Sequence, residues 1–571
     1  MAAIVRRWHS IVRWCRQNEW LSELCFIPVA VGLSWCLVAF KGVPLTHDGM
    51  GLVFIEAYRR AYRAGDFFPT WTSFGENGHG SSLLILYHRL HAQLAALLAL
   101  GTGTVVALKV SIPFWLTIGG IGMRRYCRFH DVRPWVAWVC GVFLMSSNYV
   151  NANWYIRGAT AEFVAFMLVP WGLRYASELF ERRWGVVRMG VATALIFYAH
   201  MMTFYFFVLT AGLVIAVEFY RLRVCGWRRL RAAASRGLAF GALVTCLIGP
   251  AAAAVTYTNA FSPLAPFGMR SHPWDFAPFS VYFADPALSW SRKVFEGEMT
   301  LEIGRWILLC LGVFLLIEPR ARRSVWQRVD VLVLVAAWYV ALQHYGMTFW
   351  IELLPGAQKL QFPARLLVFI VTIAILAMGI ATEAARRSDL PVVRMMACAL
   401  PLFGLVWQCN QTCENQSAIG WLNVDRKVAD AALADDNSIL THAVSMSQDW
   451  PVFLPTRHGN NSALQPFLKA SDGCLFSSPA LTHGARVAEV TKNVTGAVSF
   501  TVHGTNCTVK LNQIQSVLLR VQLSKPGAMR QTEDGLTLIE APIDGTVVQI
   551  GERGWLDLAR KFLVEKTGRF Q

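Results

Sequence analysis

The chain has 571 residues, 55% hydrophobic and 16% charged, with a mean hydropathy of +0.40. That composition excludes an ordinary soluble enzyme and defines a polytopic membrane protein. The net charge of +17 does not indicate nucleic acid, because the arginines fall in short clusters between apolar runs, as positive-inside placement demands.

Residues 1–20 form a basic cytoplasmic N-terminus carrying Arg6, Arg7, Arg13 and Arg16. The apolar run 21–40 is long for a signal core and lacks a small-x-small cleavage site, so it reads as a retained first helix. It delivers "THDGMG" to the outer side. Segment 83–100 would invert every later pass if it spanned the membrane. It therefore reads as an interfacial helix with His88, Arg89 and His91 on its polar face. The chain returns through 104–122 to "RRYCRFHDVR", goes out through 135–150, and comes back through 161–180 to "ERRWGVVR". A hairpin of 187–200 and 203–220 reaches "RLRVCGWRRLRAAASR", and 237–258 leads to the outer loop 259–299. The pass 300–318 returns to "EPRARRSVWQR". Two more bracket "MTFWIELLPGAQKLQFPAR" outside and "ARRSDLPVVR" inside, and 392–409 leaves the tail outside. The walk yields eleven passes, with every arginine-rich loop cytoplasmic. The expectation is a multi-pass inner (plasma) membrane protein, with an α-helical membrane domain over 21–409 and an extracytoplasmic β-rich domain over 410–571.

This topology collects the unusual polar residues on the non-cytoplasmic face. They are His47, Asp48, Glu56 and Asp66 in the first loop, Arg157 and Glu162, His200 at the hairpin tip, His272, Asp275 and Asp285, then Gln361 and Arg365. Charged side chains at membrane depth cost roughly 2.5–3.5 kcal/mol each, so they have partners or a function.

In "WYIRGATAEF", Gly158 lets the backbone turn between helices. Arg157 and Glu162 form either a structural pair pinning that turn, or a site whose guanidinium fork binds phosphate. In "QFPAR", Pro363 suits a helix start and Arg365 falls in the first turn, where the helix dipole disfavours a cation and calls for an anionic partner. The alternative is a plain interfacial anchor. "THDG" is either an Asx-type turn or the seat of a general base or metal-holding carboxylate. No D-x-D pair supports a metal, so the cofactor stays unassigned. His200 is either an ordinary interfacial histidine or a phosphate ligand or proton shuttle.

The tail alternates in "AVSFTVHG", "CTVKL", "VLLRVQL" and "LTLIEAP…GTVVQI", which predicts a small sandwich. Cys474 and Cys507 are a candidate disulfide, and Cys409 with Cys413 a second. Sequons at Asn410, Asn415, Asn460, Asn493 and Asn506 matter only in a eukaryotic secretory setting.

The ordered set "THDG", "RAGDFFPTWTSFGENGHGSSLLILYHRL", "YIRGATAEFVAFMLVP", "YAH" and "KLQFPARLL" resembles the bacterial YfhO-like, or 6-pyruvoyl-tetrahydropterin-synthase-related, membrane proteins. These are similar to the C-type (GT-C) glycosyltransferase superfamily, and the resemblance spans about residues 21–385. It implies an outer-face active site with Asp48 as base or metal ligand. It also carries functional positions onto Arg157, Gly158, Glu162, Gln361, Pro363 and Arg365. The sequence departs from the pattern at "HRL", where relatives often have proline.

The expected function is a membrane glycosyltransferase moving a sugar from a polyprenyl-phosphate carrier to an extracytoplasmic glycan, lipid or cell-wall acceptor. Asp48 is the candidate catalytic residue. His47, Glu56, Arg157, Glu162, His200, Gln361 and Arg365 are candidates for donor binding. Competing readings are a transporter or flippase of a lipid-linked glycan, which calls for internal repeats and mid-membrane polar residues, and a non-catalytic envelope scaffold.

Overall fold

The computed structural model describes residues 19–39, 43–44, 50–71, 83–86, 88–182, 184–223, 227–261, 302–342, 363–418 and 423–424 of the helical part. In the tail it describes residues 468–470, 475–478, 481–485, 487–488, 498–514, 519–531, 536–541, 543–553 and 557–558. The helices begin with α1 (Glu19–Leu24), α2 (Phe26–Leu33), α3 (Trp35–Ala39), α4 (Met50–Arg63), α5 (Leu83–Leu86) and α6 (Leu90–Thr102). Next come α7 (Thr104–Phe129), α8 (Pro134–Ser146), α9 (Asn148–Asn151), a π-helical turn over Ala152–Arg157, and α10 (Thr160–Glu178). Then follow α11 (Gly185–Ala199), α12 (Met201–Arg223), α13 (Trp227–Phe261), α14 (Arg305–Ile317) and α15 (Pro319–Leu342). A 3₁₀ turn over Pro363–Leu366 opens α16 (Leu367–Ala385), and α17 (Pro391–Ala418) closes the series.

Proline stands at the start of α8, α15 and α17, where its missing N–H removes no helical hydrogen bond. Among the described residues, six helices are long and apolar enough to cross a membrane: Thr104–Phe129, Met201–Leu222, Trp227–Thr258, Pro319–Leu342, Pro363–Ala385 and Pro391–Gln416. Five shorter helices among the described residues are apolar as well. The first expected pass, 21–40, is broken into α1–α3 at Cys25 and Ser34. The Ser34 hydroxyl donates to the Ala30 carbonyl, a bond that competes with the helical ladder. The last helix runs on to Ala418, past the expected end at 409.

The chain divides into two compact units. The first holds residues 1–47, 109–244 and 268–424, and α16, buried almost throughout, lies at its heart. At Gly379, α16 approaches α8 so closely that a Cβ would lie 2.8 Å from the Cys140 sulfur.

One end of this unit is arginine-rich and tied by ion pairs between helices. Glu23 accepts from Arg124 at 2.9 Å and from Arg125 at 2.7 Å, Arg133 pairs with Glu383 at 3.3 Å, and Arg320 pairs with Asp389 at 2.5 Å. Arg157, Glu162, His200 and Arg365 fall at the opposite helix ends. The short strands β1 (Val43–Pro44) and β2 (Asn423–Val424) pair antiparallel, joining the segments that follow α3 and α17.

The second unit holds residues 48–108, 245–267 and 425–571. In it α4 packs against α6, whose buried stripe is His91, Ala92, Ala95, Ala96 and Ala99. This corrects the expectation for segment 83–100: Arg89 and His91 are buried, and do not form a wet polar face. The small alanines bring the two helices close enough to enclose those longer neighbours.

The tail is β-rich. Its strands are β3 (Leu468–Ala470), β4 (Leu475–Ser478), β5 (Leu481–Ala485), β6 (Val487–Ala488), β7 (Val498–His503) and β8 (Cys507–Ile514). The remaining strands are β9 (Leu519–Leu523), β10 (Ala528–Gln531), β11 (Leu536–Ala541) and β12 (Thr546–Glu552). They form two five-stranded sheets, ordered β10-β11-β8-β3-β6 and β5-β4-β7-β12-β9. Phe500, Val502, Val509, Ile539, Val548 and Ile550 from both sheets share one core, as in a sandwich. Cys507 is disulfide-bonded, and its expected partner Cys474 lies outside the described residues. Cys409 and Cys413, the second candidate pair, both stand on α17 and are not joined in a disulfide.

Candidate functional site

The site grows from the sequence "NYVNANWYIRG" that follows α8. Ser147 caps α9, its hydroxyl accepting from the Val150 N–H, and the helix then widens into the π turn. Gly158 ends it in the left-handed region at φ +71°, where a Cβ is disfavoured. The reversal sets Glu162 in the first turn of α10, where a carboxylate complements the helix dipole.

Glu162 is 1% exposed, and its two oxygens have different partners. Oε1 accepts from the Tyr149 hydroxyl at 2.5 Å and from the Asn153 amide at 3.4 Å. Oε2 lies 3.1 Å from an Arg157 guanidinium nitrogen and 3.2 Å from Arg365 Nε. Arg157 also donates to Asn153 Oδ1 at 2.9 Å, one helical turn back. Two guanidiniums and one carboxylate leave a formal charge of +1 on these three side chains. The cation that the start of α16 disfavours thus meets an anion supplied by α10.

His200 is the single residue between α11 and α12. It is buried and within electrostatic reach of Arg365 and Arg157. Its Nδ1 accepts from the Thr203 N–H at 3.2 Å and lies 2.8 Å from the Thr203 hydroxyl. A backbone N–H can only donate, so the ring proton is on Nε2.

The structure therefore brings together Arg157, Glu162, His200 and Arg365. The expected residues His47, Asp48 and Gln361 lie outside the described residues, as do His272, Asp275 and Asp285. Glu56 belongs to the second unit and has partners of its own. Arg59 donates to it at 2.7 and 2.5 Å, Arg60 at 2.8 Å and Thr104 at 2.6 Å. Burial by itself raises the Glu56 carboxyl, and these donors outweigh it, leaving the group below the usual carboxylate range. Asp66 accepts from the Phe68 N–H at 3.0 Å in a local turn, and burial raises its carboxyl. Sequence reasoning missed Tyr149, Asn153 and Thr203. The available signal was a run of asparagines at the end of an apolar pass, with Asn153 four residues before Arg157. Among the described residues, no three His, Cys, Asp or Glu side chains are grouped to hold a metal.

No protein-family profile and no curated protein matches the chain. Solved structures similar to it include three membrane proteins. The arabinofuranosyltransferase AftD from Mycobacteria aligns with a TM-score of 0.43 and 16% identity over 71% of this chain, which spans 27% of that protein's length. ArnT from Cupriavidus metallidurans, bound to undecaprenyl phosphate, gives 0.38 and 13% over 76% of each chain. The archaeal oligosaccharyltransferase AglB from Archaeoglobus fulgidus, in complex with an inhibitory peptide and a dolichol-phosphate, gives 0.33 and 11% over 78% of this chain and 61% of that one.

Proposed function

We propose that the protein is a membrane glycosyltransferase that takes a sugar from a polyprenyl-phosphate carrier and places it on an extracytoplasmic glycan, lipid or cell-wall acceptor. The observation that carries this reading is the convergence of Arg157 and Arg365 on Glu162, away from the arginine-rich end. Two guanidiniums at the ends of spanning helices suit a phosphate held at the membrane surface, with its lipid tail in the bilayer. The neutral His200, protonated on Nε2, supplies a further donor type beside them.

In the reaction, the acceptor hydroxyl oxygen bonds to the anomeric carbon as the bond from that carbon to the phosphate oxygen breaks. The acceptor proton passes to Asp48, and the carrier leaves as a polyprenyl phosphate. The leaving group gains negative charge, so it needs neutralisation by Arg157 and Arg365 more than a strong acid. Asp48 takes its role from the family resemblance.

Product formation from a polyprenyl-phosphate sugar in nanodiscs, with carrier binding measured separately, tests the scheme. Asp48→Asn should lower turnover by about 10²–10⁴-fold with binding retained. Arg157→Lys or Arg365→Lys keeps the charge but loses the fork, so affinity and turnover should fall together. Wild-type turnover in Asp48→Asn would reject Asp48 as the base.

A further inference from the structure

We infer that Glu162 is a specificity-determining residue that matches the site to a carrier bearing one phosphate charge and discriminates against a diphosphate-linked carrier. The inference rests on the donor class proposed above. It concerns why the site should contain an acid at all, since a pocket built only to attract phosphate would gain from omitting one.

The geometry gives the reason. Tyr149 and Asn153, both neutral donors, occupy Oε1, while both cations meet Oε2. Tyr149 is buried, and its bond to the carboxylate is as short as charge-assisted O–H bonds become. The carboxylate is thus held from behind, with its free charge directed at the two guanidiniums. Glu162 itself is too buried for water to screen it. It cancels one of the two positive charges wherever the ligand sits against them.

A sugar on a monophosphate carrier is a phosphodiester with one negative charge, which balances the remaining +1. A diphosphate linkage brings a second negative charge, which Glu162 repels at short range with little screening. Specificity of this kind comes from a repulsive element placed against the wrong ligand. Glu162 also pairs with both guanidiniums, so its removal alters charge and geometry together, and the test has to separate them.

The experiment measures binding of glucosyl farnesyl phosphate and glucosyl farnesyl diphosphate, which carry one and two negative charges, to the full chain in nanodiscs, by competition with a fluorescent prenyl phosphate. The wild type should prefer the monophosphate. Glu162→Gln should move the affinity ratio toward the diphosphate by at least about tenfold, the effect of one unit charge within a few ångströms. Glu162→Asp retains the charge, so it should keep the wild-type preference even where both affinities drop. If Glu162→Gln does not fold, Arg365→Gln serves. It removes a positive charge, so it should weaken the diphosphate more than the monophosphate. A wild type that prefers the diphosphate, or a ratio unmoved by either charge change, overturns the inference while leaving the transferase reading intact. Failure of both prenyl ligands to bind at all sinks that reading, and the inference with it.

Discussion

At Gly158 the chain reverses at positive φ between the π turn and α10, and the placement of Glu162 depends on that reversal. An L side chain at this φ costs about 1–2 kcal/mol. Gly158→Ala should therefore lower the thermal midpoint in detergent, and Gly158→Asn should lower it less, because asparagine tolerates this region better. An unchanged midpoint in the alanine variant would show that the turn is not held as described. The glycine and the acid four residues later were both legible in "WYIRGATAEF". Arg365 was legible in "QFPAR" as a cation calling for an anion, but that the anion is Glu162 was not, because only packing brings these distant parts of the chain together. The same holds for the split of the carboxylate between neutral and charged partners. Residue types announce that a charge needs a partner, but they do not say which one it finds.

Between α4 and α6, two buried groups titrate in the same direction. Burial pushes the His91 imidazole down from its ordinary 6.5 to about 4, and its donors hold Glu56 below the carboxylate range. With both lowered in the fold, the unfolded segment binds more protons as pH falls. The His91 contribution is complete above its ordinary value and is lost as pH drops toward about 4. The Glu56 contribution is lost at lower pH still. Hydrogen exchange of α4 and α6 should therefore be well protected at about pH 7.5 and visibly less so at about pH 5. His91→Gln should remove most of that difference. Equal protection at both pH values in the wild type would refute the coupling. The sequence made segment 83–100 amphipathic in appearance, with its histidines and arginine expected in water. It did not reveal that the alanine stripe would be covered by α4.

For the whole molecule, the pairings at the arginine-rich end fit the alternation of passes deduced from charge, since residues expected on one side bond to one another. Reporter fusions at Arg128, Arg228 and Arg322 should read cytoplasmic, and fusions at Asp285 and Ser471 exported. An exported signal at Arg228 would break the alternation and with it the assignment of Arg157, His200 and Arg365 to the outer face. Many of the arginines in these clusters are bound as well as placed. Buried Glu178 at the end of α10 pairs with Arg188 of α11 at 3.8 Å, and Glu383 of α16 pairs with Arg133 at the start of α8 at 3.3 Å. Positive-inside counting sees their number and not this second role, in which one buried acid fastens two helices.

The sequence alone determined the class of the molecule, the order of its apolar helices, and the β character of the tail. Each follows from local composition: spanning helices need unbroken apolar length, and exposed strands need alternation. The tail strands expected around "SFTVH", "CTVKL", "LRVQL", "LTLIEA" and "TVVQI" are where they were read. Only the tertiary structure decided that α1–α3 are broken and that Arg89 and His91 are buried. It alone placed Tyr149 and Asn153 behind Glu162, between two arginines more than two hundred residues apart in the chain. The physical reason is that burial and ion pairing are properties of neighbours in space. A chain records which side chains must be satisfied, and the packing of helices chooses what satisfies them.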